Sequence, residues 1–238
     1  MPNAKVTTKK AATPKRKPAP EPALEPEPEV APAIKHQGWY TTLLAVGLVI
    51  LGVSAAFAAS RTMPGWEQRI FYDINNVHAP SWVGSQVAKQ LSNAVWGLVG
   101  LVFLALFVPR ARVRYRAWQY AAAVGLGFVA EFVFEHIINR ARPELLIPHV
   151  VLRAQQGGPG FPSGHETALA ALVFTMWFFV AWPWRILLVA LLVAEAWARI
   201  FLGVHAPLDV VGGLGVGMAA VGGIHLLPAK IRKIFRLS

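Results

Sequence analysis

Trp39-Tyr-Thr-Thr-Leu-Leu-Ala-Val-Gly-Leu-Val-Ile-Leu-Gly-Val-Ser-Ala-Ala-Phe-Ala-Ala59 runs for 21 residues without a charge. At about 1.5 Å per residue, a helix of that length reaches about 30 Å, enough to cross the hydrocarbon core of a bilayer. The rest of the 238-residue chain agrees with a membrane setting. Apolar residues make up 55% and charged residues 15%, against about 25% charged in an ordinary soluble domain. The mean hydropathy is +0.46.

Working outward from that first span, five more segments qualify. They cover residues 91–108, 117–139 (with Glu131 and Glu135), 167–184 (uncharged), 186–204 (with Glu195 and Arg199) and 208–227. The last is glycine-rich, and Gly213 and Gly217 have the small-xxx-small spacing that lets helices approach closely. The expected fold is therefore all-α, a six-transmembrane helical bundle over residues 39–238. Upstream, residues 1–38 hold eight of the 18 prolines, seven of the 23 basic residues and no aromatic residue. Such a segment cannot build a core and is expected to be a disordered cytoplasmic tail. It has no 7–15-residue apolar region of the kind a signal peptide needs. Its basic half precedes an acidic half, a pattern that reads as a solubilising tail or as a surface for anionic lipid or a protein partner of unknown identity.

The formal net charge of +11 would suit a nucleic-acid binder, but its placement argues otherwise. Sixteen of the 23 Lys and Arg residues fall in the tail, in the link 109–116, at Arg185 and beyond residue 229. The positive-inside rule puts those segments, and both termini, in the cytoplasm of a multi-pass protein of the plasma (inner) membrane. Trp39, Trp82, Trp118, Trp182 and Trp184 lie near span ends, as interfacial anchors do. With no cysteine, a disulfide framework, a thiolate zinc site and a cysteine nucleophile are excluded.

Three polar stretches then fall on the outer side. The first is Glu135-His136-Ile-Ile-Asn139-Arg140-Ala-Arg142-Pro143, where Pro143 is expected to end the third span. Arg142 reads there as a snorkelling anchor or as a site residue. The second, Gly157 to Glu166, is a glycine- and proline-rich loop. It places Ser163 at a helix N-cap, with Glu166 at capping-box spacing. A helix start also binds anions, and His165 is not needed for a bare cap. The third contains Arg199, His205, Pro207 and Asp209. Pro207 suits a first turn, and His205 and Asp209, four apart, share a helix face as a base-plus-orienter pair would. Arg199 is read either as a partner of Glu195 or as a phosphate ligand. Arginine forks match phosphate oxygens, and two histidines allow one to attack phosphorus while the other protonates the leaving oxygen.

These residues resemble the type 2 phosphatidic acid phosphatase superfamily of membrane lipid phosphatases. The family pattern is Lys-x6-Arg-Pro, then Pro-Ser-Gly-His, then Ser-Arg-x5-His-x3-Asp. Arg142-Pro143 matches the end of the first part, Pro162-Ser163-Gly164-His165 the whole of the second, and Arg199, His205 and Asp209 the third. The resemblance covers residues 39–227. It implies a phosphohistidine mechanism: His205 as nucleophile, Asp209 as its orienting carboxylate and His165 as general acid. Arg142, Ser163, Gly164 and Arg199 would form the phosphate clamp. Two positions depart from the pattern: Glu135 stands at the family's lysine and Ala198 at its serine. Arg140 or His136 is expected to stand in for the missing positive charge, whereas an inward Glu135 would repel phosphate.

The expected activity is cofactor- and metal-independent hydrolysis of a lipid phosphomonoester or pyrophosphate at the outer leaflet. Polyprenyl (undecaprenyl) pyrophosphate is the leading substrate, with phosphatidylglycerophosphate and phosphatidic acid as rivals. The expected partners are thus the bilayer and a phosphorylated lipid, and no nucleic acid. Glu135 and Ala198 motivate a second reading, a catalytically impaired phospholipid-binding or transport protein. Glu131, Glu135 and Glu195 motivate a third, a proton-relaying transporter. A metal enzyme using His165, His205 and Asp209 lacks a compact ligand motif.

Overall fold

The computed structural model describes residues 36–76, 81–228 and 231, so most of the expected tail and the basic residues Lys230, Arg232, Lys233 and Arg236 lie outside the described residues. Among the described residues the chain is all-helical, without strands. The helices are α1 (Gln37–Ala58), α2 (Gly65–Asn75), α3 (Ser81–Leu104), α4 (Ala111–Ile138), α5 (Pro143–Leu146), α6 (Gly164–Met176), α7 (Trp182–Phe201) and α8 (Pro207–Leu226). A 3-10 turn, Ala105–Phe107, follows α3.

Four of these segments are long and apolar enough to cross a membrane: α1, α3 with its 3-10 turn, α4 through α5, and α8. The six expected spans are thus not all matched. The segment 167–184 is broken, because α6 ends at Met176 and α7 begins at Trp182. Pro183 explains the restart: it can stand in a helix's first turn, where its missing N–H is not needed, but cannot continue a helix begun upstream. At 13 residues α6 reaches only about 20 Å. The 20-residue α7 carries Arg185, Glu195 and Arg199. Pro143 does not end α4 either. That helix stops at Ile138, where Asn139 adopts a left-handed conformation (φ 47°, ψ 49°), and Pro143 opens α5. Pro207 occupies the first turn of α8, as expected.

α8 is the central post. Its apolar stretch is 83% buried, against 28% for α1, so α1 turns most of its surface outward. Glycines make the approach between them possible. A Cβ on Gly215 would stand 2.7 Å from the Leu51 nitrogen and 2.9 Å from the Gly47 carbonyl oxygen. On another face of α8, a Cβ on Gly217 would lie 2.7 Å from the Thr167 carbonyl oxygen of α6. The small-residue spacing seen in the sequence thus brings backbones together.

α2 was not anticipated from sequence. It exposes Trp66 and Ile70 and buries Glu67, Phe71 and Asn75. The Asn75 amide donates to the carbonyls of Val151 (3.1 Å) and Phe201 (3.1 Å), and its oxygen accepts from the Val151 N–H (2.8 Å). That one side chain ties α2 to the end of α7 and to the loop leading toward α6.

Candidate active site

The ends of α4 and α7, the starts of α6 and α8, and the loop 157–163 converge. His205 sits in the turn between α7 and α8 and is 1% exposed. Its Nδ1 donates to the Gly160 carbonyl (2.8 Å). A carbonyl can only accept, so the proton is on Nδ1 and the lone pair on Nε2. That lone pair faces Nη1 of Arg142 at 3.4 Å. Burial, with the nearby charges of Arg199 and Arg142, lowers the His205 pKa to about 4 against the opposing pull of Asp209. The ring is therefore neutral and nucleophilic at ordinary pH.

The orienting pair is only partly as expected. Asp209 Oδ2 lies 3.7 Å from His205 Nδ1, beyond hydrogen-bond reach, and Gly160 takes the direct bond. Asp209 instead accepts from the Ala206 N–H (2.7 Å) and from Arg140 (2.9 Å). Arg140 also grips Glu67 and donates to the Thr62 carbonyl (3.0 Å), and is 0% exposed. It is committed to two carboxylates and offers no charge to a ligand, contrary to the expected role as a stand-in for lysine. His136 turns outward: its Nδ1 bonds the Phe132 carbonyl of its own helix (2.7 Å) and it is exposed.

The clamp candidates do gather. Arg142 is held by the carbonyls of Gly157 (3.0 Å), Gly158 (3.0 Å) and Val204 (2.6 Å). Arg199 bonds Gln156 and reaches Ser92 Oγ at 3.5 Å. It makes no ion pair with Glu195, whose Oε1 accepts from the same Ser92 hydroxyl (2.9 Å), so that serine stands between the two charges. Ser163 is the N-cap of α6 but makes no side-chain cap bond, which corrects the expected capping box. Glu166 points into the bundle, 2% exposed, and the fully buried Ser163 Oγ has no partner among the described residues. The backbone N–H groups of residues 164–166 precede the first intrahelical bond, Thr167 to Ser163 (3.0 Å), and are free of helix partners. An unbonded hydroxyl beside a helix start is suited to an anion.

Of two further neighbours of this site, Trp96 was not signalled by the sequence and Glu131 was read there only as a proton-relay candidate. Trp96 on α3 donates its indole N–H to His165 Nε2 (2.7 Å). Its mid-span position, away from the interface where the other tryptophans were read as anchors, was the one available hint. The Glu131 carboxylate packs on the start of α6, where a Cβ on Gly164 would meet its Oε1 at 2.5 Å, so a larger residue there would have to displace the Glu131 side chain. Glu131 and Glu135 are a helical turn apart on α4, and both act electrostatically on Arg142. Among the described residues no group of three or more His, Asp or Glu side chains is arranged to hold a metal.

Residues 116–233 match the family model described as the PAP2 superfamily. Decaprenylphosphoryl-5-phosphoribose phosphatase of Mycobacterium tuberculosis is 33% identical over 147 residues, covering 58% of this chain and 76% of that protein. The chain belongs to the PAP2 superfamily. A second relative is an Escherichia coli (strain K12) protein provisionally named undecaprenyl-diphosphatase YbjG. It is 34% identical over 102 residues, 42% of this chain and half the length of the relative. The fold is that of solved PAP2 proteins. Aquifex aeolicus LpxE aligns with a TM-score of 0.59 at 24% identity, covering 67% of this chain and 93% of LpxE. The PAP2-type phosphatidylglycerolphosphate phosphatase of Bacillus subtilis aligns with a TM-score of 0.57 at 19% identity, covering 74% and 92%. Family and relatives are phosphatases, which places this PAP2 chain among the phosphoric-ester hydrolases.

Proposed function

We propose that the chain hydrolyses a phosphate ester or diphosphate carried by a polyprenyl lipid. The observation that carries this reading is the state of His205: Nδ1 is pinned on Gly160, and the Nε2 lone pair faces Arg142. The Nε2 lone pair attacks phosphorus, the bond to the leaving oxygen breaks, and protonated His165 gives that oxygen a proton and becomes neutral. Water then attacks the phosphohistidine, losing its proton to His165, and free phosphate departs. Arg142, Arg199, the Ser163 hydroxyl and the N–H groups from Gly164 onward neutralise the phosphoryl oxygens. The polyprenyl carrier is supported by the relatives, both of which bear polyprenyl substrates in their names.

Polyprenyl pyrophosphate and a polyprenyl-linked monoester such as a sugar phosphate are the leading substrates, with phosphatidylglycerophosphate and phosphatidic acid as alternatives. We further place six spans in the membrane, counting the short α6 and the charged α7, with both termini cytoplasmic and the site at the outer face, on the strength of the charge distribution. A C-terminal reporter that signals from outside the cell would overturn that orientation.

The test is phosphate release by purified protein in detergent over a panel of these lipids, beside His205→Ala and His165→Ala. Release from one class, lost in both variants and surviving a chelator, is the expected result. Equal release from the variants and the wild type would sink the mechanism. Binding without release would support the catalytically impaired reading.

A further inference from the structure

Arg140 was expected as a spare phosphate ligand, but its bonds point elsewhere. Its side chain holds Asp209 (2.9 Å). Its backbone carbonyl accepts from the Gly160 N–H (2.8 Å). Asp209 and Gly160 are the two oxygen-bearing groups that face His205 Nδ1, at 3.7 Å and 2.8 Å. A single residue at the end of α4 therefore anchors both groups that aim the imidazole. The two groups also touch each other: a Cβ on Gly160 would stand 3.0 Å from Asp209 Oδ2.

Arg140 is in turn held from α2. Glu67 grips it with both carboxylate oxygens, Oε2 to Nη2 at 2.5 Å and Oε1 to Nη1 at 3.1 Å. Glu67 Oε1 also accepts from the Leu208 N–H (2.9 Å), one residue before Asp209. The carboxylate thus joins the end of α4 to the start of α8, and Glu67, Arg140 and Asp209 are each 0% exposed. This charge arrangement has a chemical consequence. Arg140 lies between two carboxylates, so Glu67 takes part of its hydrogen bonding and leaves Asp209 only partly neutralised. Asp209 then keeps enough negative charge to stabilise the positive ring that forms when Nε2 is phosphorylated while Nδ1 keeps its proton.

We propose that Glu67 and Arg140 are positioning residues for the nucleophile, acting on His205 through Asp209 and Gly160, with Glu67 setting how much of its charge Asp209 retains. This rests on the reading of His205 as nucleophile. α2 presents Trp66 and Ile70 outward from the same turns that carry Glu67 inward, so a non-spanning helix reaches the reaction centre through one side chain.

The experiment compares wild type, Glu67→Gln, Glu67→Asp and Arg140→Lys in detergent on whichever lipid the panel selects, with His205→Ala as the dead control. The readouts are kcat, KM and the acid limb of kcat/KM. The charged and titratable groups facing His205 are Asp209 from α8, Arg142 beside α5, Arg199 from α7 and His165 from α6, and none of them is altered. With Glu67 neutral, Arg140 bonds Asp209 more fully. We expect kcat about 10–100-fold lower, the size of loss typical when an orienting partner is removed, with KM within about threefold and the acid limb displaced to lower pH. Glu67→Asp keeps the charge and should recover part of kcat. Arg140→Lys keeps charge but loses the fork, which leaves Asp209 less neutralised, so kcat should fall as the aim is lost while the acid limb moves to higher pH.

A merely structural role would lower the folded fraction and leave the acid limb where it was, and that outcome overturns the proposal. So does wild-type kcat in Glu67→Gln. If Glu67→Gln does not fold, the pH limb of Glu67→Asp and Arg140→Lys decides in its place. An active His205→Ala would instead overturn the nucleophile assignment, which separates that failure from failure of this inference.

Discussion

The indole nitrogen of Trp96 lies 2.7 Å from Nε2 of His165, and the two rings meet edge to face at a centroid distance of 5.0 Å. Trp96 is 43% exposed on the flank of α3, so the histidine proposed to protonate the leaving group is fixed from the lipid-facing side of the bundle. An indole N–H only donates, so Nε2 is the acceptor and a neutral His165 carries its proton on Nδ1.

Trp96→Phe keeps the ring and removes the donor. One neutral hydrogen bond is worth about 0.5–1.5 kcal/mol; it holds the unprotonated ring, so its loss favours the protonated acid and the alkaline limb of kcat should move up by about one pH unit or less. Because position 96 is partly exposed, the thermal midpoint in detergent should not move. Steady-state kinetics beside a melting curve checks both halves.

Ser163→Ala should separate function from stability. The Oγ is fully buried and has no hydrogen-bond partner among the described residues, so removing it leaves stability unchanged or slightly higher. If it binds phosphoryl oxygens, activity falls about tenfold or more, in line with losing one donor to a developing charge. A variant that is both less stable and fully active would contradict this.

Arg140→Met leaves Glu67 and Asp209 buried without their shared cation. Breaking a buried ionic cluster in this way costs about 3–5 kcal/mol. The variant should melt far below wild type or fail to fold, and much further below than Arg140→Lys does.

The pH dependence follows from His205. Its pKa lies at about 4 in the fold, against about 6.5 when unfolded. Below 6.5 the unfolded chain binds a proton that the folded chain refuses, so stability falls as pH drops from about 6.5 toward 4 and is fully present above that window. Activity limited by neutral His205 should persist at pH 5.5 and fall only as pH approaches 4. An acid limb centred at 6.5 in kcat/KM would exclude His205 as the group responsible.

Gly215→Val forces a branched side chain against the Leu51 nitrogen and the Gly47 carbonyl. Overpacking costs about 1–3 kcal/mol in a soluble core, and here the obstructing atoms are backbone. A lower melting temperature and faster proteolysis of α1 are expected, whereas the same change at Gly52, where nothing lies within 4 Å, should be silent.

Long apolar runs made α1, α3, α4 and α8 legible, because crossing a bilayer imposes a length and a composition that show in one dimension. The three polar stretches were legible for the same reason: in so apolar a chain each remaining Arg, His or Asp stands out, and Arg142, Ser163, Arg199, His205 and Asp209 do converge. What stayed hidden was pairing. Arg140 and Arg142 are two residues apart with the same chemistry, yet one bonds Glu67 and Asp209 and the other faces His205. Only the left-handed turn at Asn139 and the position of α2 decide which does which. Glu67, Gln156 and Gly160 carry no local signal, since each acquires its role from a partner 40 or more positions away. The break between α6 and α7 was misread because Pro183 sits amid tryptophans whose hydropathy hides a helix start.

The contact between α1 and α8 has a consequence for how the chain is assembled. The two are the first and last described helices, and they meet backbone to backbone through Gly47 and Gly215. α1 enters the membrane early in synthesis but finds its principal neighbour only after everything between has been made. Until then its glycine-bearing face has only lipid, or another helix, against it. α8 also delivers Asp209 and closes the turn that holds His205. Closure of the bundle and completion of the reaction centre are therefore one event. A nascent chain stalled before residue 207 should be both unpacked and chemically silent, with no partly active intermediate on the way.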